Sequence, residues 1–121
     1  MIRLSLLVCL LYGCATTSAS GTFTRALAAA EAADDAIVLT STTLLQAGTI
    51  TSAQGSKILT ITDGINSALT LANSAYTAGN ITSATSQMTT VVSVITQVQA
   101  CLTAASNKQP IDTCLAPVSA P

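Results

Sequence analysis

The chain has 121 residues, the size of one domain, and only nine charged side chains, four basic and five acidic. Four scattered basic residues cannot neutralise a run of phosphates, which excludes nucleic-acid binding, and the absence of histidine excludes imidazole catalysis and imidazole metal ligation. Ala, Thr and Ser supply 54 of the 121 residues, yet the positive mean hydropathy and low charge are the opposite of a disordered composition.

Residues 1–13 read as a targeting signal. Arg3 is a short positive n-region, and Leu4-Ser5-Leu6-Leu7-Val8-Cys9-Leu10-Leu11 is an apolar run. That run is too short for a membrane span of roughly 20 residues. Leu11-Tyr12-Gly13-Cys14 resembles the bacterial lipobox: an aliphatic residue at −3, a small residue at −1 and the obligatory cysteine at +1. Tyr12 is bulkier than the residue usual at −2. The resemblance implies diacylglycerol transfer to the Cys14 thiol, cleavage between Gly13 and Cys14, and acylation of the new amino group. It also implies export to the outer membrane, because Ala15 rather than an aspartate follows the cysteine. Each acyl CH₂ buried in a bilayer contributes about 0.8 kcal/mol, so two or three chains anchor a protein stably. The alternative is an ordinary secretory signal cut after Ala15, with Gly13 and Ala15 as the small residues.

The four cysteines divide by this reading. Cys9 leaves with the signal and Cys14 carries lipid. Cys101 and Cys114 remain as an even pair in an oxidising compartment, where a disulfide between them is expected. That bond would tie the C-terminal tail to the end of the last helix.

Residues 14–21 read as the lipidated cysteine and a polar tether, followed by a helical domain over 22–106. Phe23, Leu27, Ala30, Asp34, Ile37, Ser41 and Leu44 lie on one face of a helix over about 22–46, with Asp34 and Ser41 as polar interruptions. Ile58, Ile61, Ile65, Leu69, Ala72 and Tyr76 share a face of a second helix over about 51–78. Thr51 and Gln54 have the spacing of a capping box. Gly55 and Gly64 lower its propensity and point to a close helix approach, or to a kink at Gly64. The third helix, over about 82–106, has the cleanest stripe: Ala84, Met88, Val91, Ile95, Val98, Leu102 and Ala105. Its β-branched run Thr89–Thr96 would suit a strand, but the helical period holds over three heptads with no turn signal.

The two breaks are related. Ala47-Gly48-Thr49-Ile50-Thr51-Ser52-Ala53 recurs as Ala78-Gly79-Asn80-Ile81-Thr82-Ser83-Ala84, with only the third position changed. In each copy the glycine suits a left-handed helix stop, the isoleucine is expected to tuck between helices, and the threonine to cap the next helix. The expected fold is all-α, a small antiparallel three-helix bundle. The tail 107–121, with Pro110, Pro117 and Pro121, is expected to be extended, non-helical and held by the disulfide. Residues 64–107 carry no charge, but their apolar positions lie on one stripe among many Ser and Thr, which fits a bundle better than a membrane span.

Little of the sequence carries reaction chemistry. Glu31, Asp34 and Asp35 share a helix face; a weak cation site is one reading and a solvated acidic face the better one. Asp34 on the apolar stripe calls for a buried partner, and Lys57 is the candidate. No serine stands three residues before Lys57 or Lys108, and there is no Gly-rich phosphate loop. Asn80-Ile81-Thr82 is formally a sequon, better explained by a capping Thr82. The expectation is therefore no catalytic residue, no metal, no cofactor and no small-molecule substrate.

The signal with Cys14, the Ala-Gly-x-Ile-Thr joints and the terminal cysteine pair are similar to small lipoproteins of tailed phages and prophages. The resemblance implies a membrane anchor through lipid on Cys14, an outer-membrane position facing the periplasm, and action through a protein partner in the envelope. Relatives with roles act in host lysis or in excluding superinfecting phage. The short, proline-rich spanin type of lysis lipoprotein is unlike this domain. A secreted or virion-associated structural protein without lipid is the remaining alternative.

Overall fold

The computed structural model describes residues 19–121, with side chains from Thr22 onward. Among them are three long helices and one short one: α1 (Ala19–Gln46), α2 (Ser52–Thr77), α3 (Ile81–Ser106) and α4 (Asp112–Leu115). The described residues contain no strand. α1, α2 and α3 pack against one another in every pairing. Helix α1 already includes residues 19–21, which the sequence assigned to the tether; residues 15–18 lie outside the described part.

The core is the meeting of three stripes. All seven stripe positions of α3 are buried, joined by Val94 and Cys101. Ile58, Ile61, Ile65, Leu69 and Ala72 of α2 are buried, and Tyr76 is half-buried. On α1, Phe23, Ala30, Asp34, Ile37 and Ser41 are buried, with Leu27 and Leu44 packed against them. Burying each large aliphatic side chain contributes roughly 1.5–3 kcal/mol, and the many alanines contribute little of that while letting the helices approach closely.

A helix so rich in threonine needs a local account. The exposed Thr42, Thr43, Thr60, Thr70, Thr77, Thr89, Thr90, Thr96 and Thr103 each donate their hydroxyl to the carbonyl four residues earlier, at 2.8–3.2 Å. The side chain is satisfied inside its own helix and does not compete for other backbone groups. The uncharged outer surface of α3 and of α2 beyond Asp63 is built this way.

Each long helix ends in the same manner. After α1, the Gly48 N–H donates to Leu45 O and the Thr49 N–H to Leu44 O; Gly48 has φ 73°. After α2, the Gly79 N–H donates to Tyr76 O and the Asn80 N–H to Ala75 O; Gly79 has φ 84°. These are Schellman closures, for which glycine is the least strained residue. α3 closes identically through Lys108 and Gln109 onto Ala105 and Ala104, but with a lysine at φ 60°.

The helix starts differ between the two repeat copies. Thr51 caps α2 in a full capping box with Gln54, as expected. In the second copy Asn80, not Thr82, is the cap: its side chain accepts from the Ser83 N–H at 3.3 Å. Asparagine caps better than threonine, so the one changed position starts α3 two residues earlier in the repeat. Ile50 therefore precedes its cap and is buried, whereas Ile81 is the first helical residue and is 46% exposed, contrary to the expected tuck.

The tail also departs from expectation. It is not simply extended: Asp112–Leu115 is helical, and Ile111, Leu115 and Val118 are buried. Their spacing of four and three is a short amphipathic pattern that the prolines obscure in the sequence. The tail then reaches the middle of α2, where a Cβ on Gly64 would come within 2.6 Å of the Ala120 Cβ and 3.2 Å of Pro121 Cδ. Gly64 thus accommodates the tail and not a neighbouring helix. Gly55 faces only the side chain of Leu45, at 3.7 Å.

Lys108→Gly should relieve the left-handed strain and raise stability by about 0.5–1 kcal/mol in urea unfolding. Gly48→Ala and Gly79→Ala, which impose that strain, should each lower it by about 1 kcal/mol.

Candidate functional site

Cys101, fully buried on α3, and Cys114 on α4 form the expected disulfide, with Cα atoms 5.6 Å apart. It sits at the end of the bundle where the first joint, the start of α2 and the tail converge. There the Gln54 side-chain amide donates to an Asp112 carboxylate oxygen at 2.7 Å, a contact across 58 residues that no sequence pattern announces. Thr51, Gln54, Lys57, Asp112 and Leu115 line a cavity of about 400 Å³ at this end. Its polar side-chain groups are one hydroxyl, which accepts from the Gln54 N–H, one amide, one ammonium and one carboxylate.

Asp34 is the most unusual group in the fold. Its side chain is 1% exposed, and neither carboxylate oxygen has a hydrogen-bond partner. The expected partner, Lys57, does not reach it; Lys57 lines the cavity beside Asp112 instead. The reason is axial position: Lys57 lies in the second turn of α2, near the disulfide end, and Asp34 faces the helix near Asn66. Burial pushes the Asp34 pKa from an ordinary 3.8 up to about 6, and the neighbouring Asp35 adds to the rise. The Asn66 side chain opposes it without forming a well-aligned hydrogen bond, and Asp63 raises it slightly further.

Glu31 and Asp35 are exposed on α1 and flank a shallow depression with Asn66, Thr70 and Asn73. Among the described residues no three His, Cys, Asp or Glu side chains gather as a metal-binding group. The acidic residues thus separate into one buried carboxylate and a solvated pair.

At the opposite end, Phe23 near the start of α1 stacks on Tyr76 near the end of α2, with ring centroids 4.3 Å apart and planes 11° from parallel. These are the only aromatic side chains in the described residues, and a stacked pair is worth roughly 0.5–1.5 kcal/mol beyond its area. Each appeared in the sequence as a stripe position, but their pairing did not.

α3 is long and apolar enough to cross a membrane by length and composition. Its stripe is buried against α1 and α2, and its other face is Thr, Ser and Gln. Gly13 and Cys14 lie outside the described residues. No protein-family model, curated protein or solved structure matches the chain.

Two measurements follow from these sites. Removing the bridge with Cys101→Ser and Cys114→Ser should lower stability by about 3 kcal/mol, read as a lower urea midpoint. The Asp34 pKa is higher in the folded than in the unfolded chain, so the folded state holds the proton more tightly. Its stabilising effect is full at acid pH and is lost as pH rises from about 4 through about 6, by about 3 kcal/mol. Asp34→Asn should flatten the pH dependence of the unfolding midpoint in that window.

Proposed function

We propose that this chain is a lipid-anchored, non-enzymatic helical protein of the bacterial envelope, encoded by a phage or prophage, that acts by protein contact on the periplasmic side of the outer membrane. The observation that carries the reading is Cys14 directly after an apolar run, with Leu11 and Gly13 at the lipobox positions. The Cys101–Cys114 disulfide supports an oxidising compartment, since such bonds rarely persist in reducing cytosol. The domain that follows the anchor offers a charge-poor surface of Thr, Ser and Ala, suited to contact through shape and hydrogen bonds. Its helices run antiparallel in this reading. Support comes from short joints, from the Phe23–Tyr76 stack, and from the approach of Leu45 at the end of α1 to Gly55 at the start of α2.

Intact mass spectrometry of the mature protein from expressing cells tests the anchor. The expected species begins at Cys14, carries acyl chains and lacks two hydrogens for the disulfide. Cys14→Ala should move the protein from the membrane fraction to the soluble fraction. A mature chain beginning at Thr16 without lipid would replace this reading with the secreted alternative.

A further inference from the structure

The two repeat copies pose a question that the fold answers at only one end. Ile50 is 3% exposed and Ile81 is 46% exposed, although six of seven residues around them are shared. At the Ile50 end, the tail with buried Ile111 and Leu115 closes the bundle. At the Ile81 end the Phe23–Tyr76 stack joins α1 to α2 and Ile81 stays exposed.

Two further observations bear on what covers that end. Ala19 begins α1 only four residues before Phe23, and Cys14 stands five residues earlier still, within about 18 Å of fully extended chain. Whatever Cys14 is attached to must therefore lie close to the Ile81 end, and not to the disulfide end. The second observation is charge. Arg25 is the one charged side chain of the described residues near this end. On α1 the first carboxylate, Glu31, comes eight residues after Phe23, about 12 Å along the axis. On α2 the last, Asp63, comes fourteen residues before Thr77, about 21 Å along the axis. α3 has none. An end with one cation and no carboxylate approaches an anionic headgroup layer without repulsion.

We propose that the Phe23–Tyr76–Ile81 end of the bundle lies against the lipid bilayer, with Ile81 entering the interface and Arg25 facing the headgroups. This orientation rests on the lipidation of Cys14. One isoleucine and one arginine bind a membrane weakly by themselves. The short link from Cys14 makes their contact effectively intramolecular, so it persists. The disulfide end, with the Gln54–Asp112 pair and the cavity beside it, then faces away from the membrane, where a protein partner can reach it.

The test uses the mature, oxidised protein, in which Cys14 and the disulfide leave no other free thiol. Ala47→Cys and Ala78→Cys place a single thiol at the equivalent exposed position of each joint. Each variant is labelled with an environment-sensitive fluorophore and reconstituted on vesicles of phosphatidylethanolamine with a phosphatidylglycerol minority and nitroxide-labelled lipid. Quenching should be several-fold stronger at position 78 than at position 47. Adding Ile81→Asp to the Ala78→Cys variant should bring quenching down toward the level at 47; an aspartate in the first turn favours the helix, so the fold is retained. Equal quenching at both positions, with acyl chains on Cys14 confirmed by intact mass, would overturn the orientation and leave the anchor standing. An unlipidated mature protein would overturn both.

Discussion

Helix α3 is the element on which the rest depends. It has no charged residue and carries a β-branched run that, taken alone, favours extended chain. It is helical because its stripe, from Ala84 to Ala105, is buried against α1 and α2, and because its exposed threonines satisfy their hydroxyls within the helix. Burial outweighs propensity here: the local preference is worth tenths of a kcal/mol per residue, whereas each buried Val or Ile contributes roughly 1.5–3 kcal/mol. α1 and α2 gain their core partner from the same surface, and the disulfide that holds the tail begins on it at Cys101.

The two ends of the bundle are chemically unlike. One is closed by the tail, the disulfide and a Gln54–Asp112 hydrogen bond. The other carries an aromatic stack and leaves Ile81 exposed. The unlike placement of Ile50 and Ile81 traces to a single residue. Asn80 stands where the first repeat has Thr49, moves the helix start, and carries the isoleucine from a buried joint position to the helix surface. A repeat that is nearly identical in sequence therefore yields two different environments. Between the ends, Asp34 is held in the interior with no hydrogen bond to its carboxylate, and burial raises its pKa.

The three long helices, their core faces and the cysteine pair were legible in the order of residues alone. Periodicity does that: a 3.6-residue repeat sorts apolar from polar positions regardless of what lies opposite. Composition alone sets the limits on chemistry, since residues that are absent cannot act. The packing of the tail was partly legible in the spacing of Ile111, Leu115 and Val118, but three prolines masked it. The relations between stripes emerge only in the folded molecule. Periodicity gives the angle of a residue around its helix and says nothing of which residue of another helix stands at the same height. For that reason Lys57, on a suitable face, proved too far along the axis for Asp34, while Gln54 met Asp112 and Phe23 met Tyr76 across long stretches of chain.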